Sequence, residues 1–377
     1  MLISIPKEQG AENRVAMTPD TAKRLLNKFK GLKVAVEQGA GQQAHISDEM
    51  FQAAGVEIVN RDQALKGDIV LVVNRLGDDE VKGLKENAVL IGALEPASAG
   101  DHFQKLAQQK VNAIATEMIP RISRAQAMDT LSSQANIAGY KAVLEATNHF
   151  NKFFPVMMTA AGSSKPAKVI ILGVGVAGLQ AIATAKRLGA SVEAFDIRPE
   201  VAEQVQSLGA KFIDLGIEED GSGEGGYAKE LSAEGKAKQQ AALQEYLKKA
   251  DVVITTALIP GRQAPVLITE DAVKGMKEGS VIVDMAAGGF NRANGIAGGN
   301  CPLTQVDQVV VNHGVTLVGY SNYPSQMAGD ASAFFSRNLL NLLPLLIQET
   351  EDGLTLNVHT EDEIIQKSLV TLDGVVK

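Results

Sequence analysis

Apolar runs alternate with amphipathic stretches along the first third of the chain. The runs fall at residues 2–5, 34–36, 69–73, 89–91 and 111–114, and helix-like spacing occupies 18–29, 47–54 and 101–109. Short apolar runs separated by amphipathic helices predict a parallel sheet covered by helices. The alternation resumes over about 155–320, with strands predicted near 169–172, 191–196, 211–214, 252–255, 281–284 and 316–318. Two longer helix-like stretches, about 125–150 and 331–347, stand between and after these blocks. The predicted fold class is α/β: two Rossmann-like domains with parallel sheets, joined by long helices. The second long helix is expected to return the chain to the first domain. That makes the N-terminal α/β domain discontinuous (1–125 plus 331–377), around a nucleotide-binding domain over 140–325.

The most informative stretch is 168–196, KVIILGVGVAGLQAIATAKRLGASVEAFD. It reads as strand, glycine turn, helix, strand and acid. Gly173 permits the tight turn, Gly175 lets the backbone approach a pyrophosphate, and Gly178 lets helix and strand pack closely. The helix N-terminus, beginning near Val176, offers free N–H groups to phosphates. Asp196 is placed to accept hydrogen bonds from a ribose, and its charge opposes a 2′-phosphate, which favours NAD(H). Arg198 complicates the choice, since an arginine there can hold that phosphate; it can equally cover the adenosine or be a surface charge. None of the strands in the first block is followed by such a glycine pattern, so that half is not expected to bind its own nucleotide.

Bulk properties narrow the picture. At 377 residues the chain exceeds one ordinary core, which agrees with two domains. The net charge of −8 argues against nucleic acid. The lone cysteine, Cys301, cannot form an intrachain disulfide, which fits a reducing compartment. The first residues, MLISIPKEQGAENR, lack the apolar core of a signal peptide, and no run reaches the ~20 apolar residues of a membrane span. His45, His102, His149, His313 and His359 make no close pair at helical ligand spacing, so no metal site is expected. Residues 217–226, IEEDGSGEGG, break the regular pattern, with Tyr227 at their end. Their composition cannot bury a core; it fits a mobile solvated connection and equally a lid over a nucleotide.

Residues 120–133, PRISRAQAMDTLSS, with QANIAGY following, resemble domain I of the proton-translocating NAD(P) transhydrogenases, the NAD(H)-binding component of that membrane enzyme. The likeness extends over nearly the whole chain through GAENRVAMTP (10–19), TAAG (159–162), the glycine turn, Arg198-Pro199, GGYAK (225–229), TTALIPG (255–261), GGNCP (298–302) and 338–343. The resemblance implies direct hydride transfer between NADH and NADP+ held by a partner domain. It implies coupling to proton movement through a membrane domain, a homodimer, and a cytoplasmic position at the inner face of the membrane. It assigns Arg121, Gln126, Asp129 and Ser132 to the hydride site, where Asp129 and Ser132 fix the nicotinamide carboxamide and Gln126 reaches toward the second nucleotide. Those residue types suit a reaction that needs two rings oriented and water excluded rather than an acid or base. Helix capping by Asp129 and Ser132 is the alternative reading of the same residues. Further cofactor contacts implied are Ile122, Ser123 and Arg124, then Val176 at the pyrophosphate, Ile197 and Arg198 flanking the adenosine, Gly226 and Tyr227 in the closing segment, and Gln239 and Leu258 on the adenosine side.

The alanine dehydrogenases share this pattern and supply the rival reading, an amino-acid oxidoreductase. In that family an arginine, a lysine, a histidine and an aspartate serve the amine chemistry. Arg14 stands at the arginine position, but the lysine position falls at Asn74 and the histidine position at about Glu95; the aspartate is not evident in 284–288, DMAAG. One departure from the transhydrogenase pattern is the long connection GGFNRANGIA (288–297), expected near the nucleotide crevice.

Overall fold

The computed structural model describes residues 1–216, 232–258, 263–288 and 299–377. It divides into two units, Met1–Gln134 with Pro324–Lys377, and Ala135–Tyr323. The sheets are parallel-rich in both, as the alternating pattern requires.

In the first unit, strands β1 (Leu2–Ile5), β2 (Lys33–Glu37), β3 (Glu57–Val59), β4 (Ile69–Asn74), β5 (Val89–Ala93) and β6 (Asn112–Ala115) run parallel in the spatial order 3-2-1-4-5-6. The central β4 is buried from Ile69 to Val73, which is why it reads as an unbroken apolar run. Helices start where the local chemistry allows: Thr18 and Thr21 form a capping box ahead of Pro19, and Ser47 accepts the amide of Met50.

The second unit carries the hairpin β7 (Met157–Thr159) and β8 (Gly162–Ser164), then β9 (Lys168–Leu172), β10 (Ser191–Phe195), β11 (Lys211–Phe212), β12 (Val252–Thr255), β13 (Val281–Asp284), β14 (Val309–Asn312) and β15 (Val315–Val318). The large sheet is ordered 11-10-9-12-13-15-14, with only the edge strand β14 antiparallel. The strand order reverses between β9 and β12, the position at which open α/β sheets bind ligands beyond their strand ends.

The long helices are shorter than their apolar patterns. Residues 123–128 form a 3-10 turn, Asp129 is extended (φ −72°, ψ 93°), and the α-helix is Thr130–His149, within which the boundary between the units falls. The later helix is Ala328–Leu342; a 3-10 turn containing Pro344 ends it, and Ile347 opens the hairpin of β16 (Ile347–Thr350) and β17 (Gly353–Leu356). Proline lacks the N–H that the next helical turn would need. The chain ends in β18 (Leu369–Leu372) and β19 (Val375–Val376), which extend the first sheet antiparallel beside β6. Among the described residues, no helix is long and apolar enough to cross a membrane.

Candidate functional site

In the second unit the glycine turn leaves β9 at the reversal point. Gly173 has φ +97°, and a Cβ there would meet the Thr256 hydroxyl at 2.7 Å. Thr256 donates that hydroxyl to the Gly173 carbonyl at 3.0 Å, so β12 holds the turn from the neighbouring strand. A Cβ on Gly178 would lie 2.0 Å from the Gly173 oxygen, which makes glycine obligatory there. Around Gly175 there is open space: nothing lies within 4 Å of a Cβ built there. The helix Val176–Arg187 makes its first intrahelical bond from Leu179 to Gly175, leaving the amides of Val176, Ala177 and Gly178 ahead of it. This concave backbone surface, open at Gly175 with a helix N-terminus behind it, fits a pyrophosphate.

Asp196 follows β10 and is 8% exposed. Its Oδ2 accepts the Val174 amide at 2.7 Å, which ties the acid to the glycine turn. Arg198 closes on the same carboxylate, with its amide and Nε donating to Oδ1 and Nη2 to Oδ2, all at 2.9 Å. This pairing raises the arginine's already high pKa. Ile197 packs on the apolar cluster of Phe195 and Leu243. Gln239 is buried in the helix Ala233–Leu247, while Leu258 is 41% exposed after β12.

A second network, not expected from the sequence, fixes the segment after β12. Buried Asp284 accepts the Thr255 hydroxyl (3.0 Å) and the amides of Ala286 (3.0 Å), Asn300 (3.3 Å) and Cys301 (3.0 Å). Burial raises its pKa, and these donors oppose the rise. Asn300 in turn accepts the Ala257 amide at 3.1 Å and donates to the carbonyls of Ala257 and Pro265, each at 2.8 Å. A carboxylate surrounded by N–H groups is a structural clamp, and only the acid's position at a strand end hinted at it.

In the first unit, Asp129 stands immediately before the helix Thr130–His149. Its Oδ1 accepts the Ser132 amide at 2.8 Å and its Oδ2 the Ser132 hydroxyl at 2.5 Å. The capping geometry is therefore real, and it also holds the Asp129–Ser132 pair in one orientation. Ser133 and Asn338 secure the segment from the side: Ser133 donates to Asn338 Oδ1 at 2.7 Å, and Asn338 donates to the Ala127 carbonyl at 2.9 Å. Arg121, Ser123 and Gln126 are exposed, and Ile122 packs on the core. Arg124 makes a two-point pair with Asp362 at 2.6 and 2.8 Å.

Two family models match, Alanine dehydrogenase/PNT N-terminal domain over residues 4–138 and Alanine dehydrogenase/PNT C-terminal domain over residues 142–377. The chain belongs to the alanine dehydrogenase/PNT family. Within it, the chain is 49% identical to an NAD(P) transhydrogenase alpha-subunit chain of Rhodospirillum rubrum, covering 100% of this chain and 97% of that one. Its likeness to alanine dehydrogenase 1 of Staphylococcus aureus is 29% over 86% of this chain and 82% of the other. A solved transhydrogenase from Sinorhizobium meliloti superposes with a TM-score of 0.84 at 37% identity, covering 100% and 98%.

The positions at which the two branches of the family part company lie in the first unit. Arg14 is engaged by Glu12 through Nε (2.8 Å) and Nη2 (2.7 Å), and by Gln134 through Nη1 (2.9 Å). Asn74 donates to the same Glu12 at 2.9 Å. Glu95 is exposed in the left-handed region (φ +50°), its amide bonded to Glu117. The acidic, glycine-rich stretch 217–226, Gly226 and Tyr227 at its end, and residues 289–298 lie outside the described residues.

Proposed function

We propose that this chain is the NAD(H)-binding component of a proton-translocating NAD(P) transhydrogenase, transferring hydride directly to or from NADP(H) held by a partner domain. The observation that carries the reading is the full-length likeness to the transhydrogenase alpha subunit, well above that to alanine dehydrogenase. Local geometry supports it. Arg14 already has a carboxylate on its fork, whereas Asp129 and Ser132 are held as a donor–acceptor pair of the kind a carboxamide needs.

The second unit takes the adenosine and pyrophosphate. Gly173, Gly175, Val176 and Gly178 hold the phosphates through backbone amides, and Asp196, Ile197, Arg198, Gln239 and Leu258 surround the adenosine, with Gly226 and Tyr227 closing over it. Residues 120–133 take the nicotinamide: Asp129 and Ser132 fix the carboxamide, Arg121, Ile122, Ser123 and Arg124 shape the wall, and Gln126 faces the partner's nucleotide. Bound NADH supplies the hydride; the protein's part is orientation and exclusion of water. No side chain has to move a proton in the transfer, and coupling to protons belongs to the membrane domain. The chain alone is therefore nearly inactive and works at the cytoplasmic face of the membrane through its partner subunits. It acts as a homodimer, for which the hairpin region offers exposed apolar surface at Phe153 (56%), Val156 (55%) and Met158 (79%).

The test is to mix the chain with an NADP(H)-binding transhydrogenase domain and follow hydride transfer by stopped flow. Transfer that needs both components supports the reading. Reduction of NAD+ with alanine by the chain alone would replace it with the amino-acid dehydrogenase.

A further inference from the structure

The Asp196 carboxylate is full before any ligand arrives. An ionised carboxylate offers about four acceptor positions, and four donors reach this one: the Val174 amide, the Arg198 amide, and Nε and Nη2 of Arg198. Both side chains are largely buried, at 6% exposure for Asp196 and 11% for Arg198. A ribose diol therefore finds its acceptor already taken by a guanidinium, and a 2′-phosphate finds its natural guanidinium already taken by a carboxylate.

The usual argument, that an acid at this position repels the 2′-phosphate, is incomplete for a neutralised pair. The charge of Asp196 is largely cancelled at close range by the fork lying on it. A phosphate approaching Arg198 must instead draw the fork away and leave a buried carboxylate bare beside a dianion, and an uncompensated buried charge is costly. Selectivity then resides in the bond between the two side chains.

We propose that Arg198 sets cofactor choice through its pairing with Asp196. While the carboxylate holds the fork the site rejects a 2′-phosphate, and once that carboxylate is neutralised the same guanidinium becomes the phosphate's binding group. The proposal rests on the NAD(H) reading above. It separates two roles for Asp196, since its Oδ2 also anchors Val174 of the glycine turn. Asparagine can keep the second role by presenting its carbonyl oxygen to the Val174 amide. Its NH2 group then faces the guanidinium, two donors oppose each other, and the fork is released.

The experiment titrates the wild-type protein, Asp196→Asn, Arg198→Ala and the double variant with NADH, with NADPH, and with adenosine 2′,5′-bisphosphate as a probe of the ribose end alone. Asp196→Asn is expected to bind NADPH and the bisphosphate about tenfold more tightly than wild type, the worth of one charge-assisted contact. The double variant should lose that gain. Arg198→Ala alone should increase the preference for NADH over NADPH, because it exposes an unshielded carboxylate. A gain that persists in the double variant, no gain in Asp196→Asn, or an Arg198→Ala protein with the same or a weaker preference for NADH overturns the proposal. Should Asp196→Asn not fold, the Arg198→Ala result decides by itself. Wild-type protein that binds neither dinucleotide overturns the NAD(H) reading and this proposal together; wild type that binds NADH isolates the failure to this pair.

Discussion

Gly139 and Ala177 are in closest approach: a Cβ on residue 139 would lie 2.1 Å from the Ala177 carbonyl oxygen. Gly139 lies in the helix Thr130–His149, and Ala177 in the first turn of the helix that follows the glycine turn. The missing side chain allows one helix to seat directly on the backbone of the other. Gly139→Ala should therefore cost about 1–3 kcal/mol in urea denaturation, despite alanine's better helix propensity. It should also weaken NADH binding, because the displaced turn carries the amides assigned to the pyrophosphate.

Asp129→Asn separates capping from catalysis. Asparagine caps a helix about as well as aspartate, so thermal stability should change by only a few tenths of a kcal/mol. Hydride transfer in the reconstituted complex should nonetheless fall on the order of 100-fold, because a small misplacement of the nicotinamide is that costly. Arg121→Ala and Gln126→Ala should likewise slow transfer far more than they weaken NADH binding. Ser132→Ala should do less, since Asp129 remains. Stopped-flow transfer beside equilibrium titration checks all four; normal transfer rates in the first three variants would reduce residues 120–133 to a helix start.

Glu8 gives the first unit a pH signature. Its carboxylate bridges the amides of Val73 (2.7 Å) and Asn74 (3.1 Å) at the end of β4. Burial raises its pKa from 4.5 to about 7, helped by Glu12 and opposed by those two amides. An acid whose pKa is higher folded than unfolded binds more protons in the folded state, so its contribution to stability is greatest below 4.5 and falls as pH rises toward 7. Glu8→Gln, which mimics the protonated acid, should match wild type near pH 4 and exceed it above pH 7 by at most about 3 kcal/mol. Denaturation curves of both proteins across that range test this; a stability difference that does not change with pH would refute it.

Cys301 should be chemically silent in the folded protein. It is fully buried, and burial together with nearby Asp284 pushes its thiol up to about 11. Reaction with a thiol reagent at pH 8 should run at the rate of unfolding and reach the free-thiol rate only in denaturant. Asp284→Asn removes the acceptor of the Cys301 amide and should cost about 2–4 kcal/mol. The same substitution should accelerate labelling of Cys301, and unchanged labelling would show that the clamp does not govern access.

What the chain spells out by itself is what local geometry dictates. The strands β1, β9 and β12, the glycine turn and the acid after β10 follow from a period of two, a period of 3.6 and the spacing of three glycines, all set by neighbours within a few residues. The segment 120–133 is legible as a motif, and its capping alternative is legible with it, because both need only the bonds between Asp129 and Ser132. The tertiary structure decided everything that joins distant positions. Val309–Asn312 is an edge strand only because Val315–Val318 is beside it, and β18 finds its place against β6 more than 250 residues away in sequence. Gln239 reads as a surface residue of a polar helix and is buried by the packing of that helix. Asp284 needs Thr255 and the amides of 300 and 301 to become a clamp, and Gly139 needs Ala177. Even Arg198, two residues from Asp196, could be read as a phosphate ligand, a cover for adenosine or a surface charge. Its direction depends on the bend after β10 that turns its side chain back onto the carboxylate, and sequence spacing carries no information about that bend.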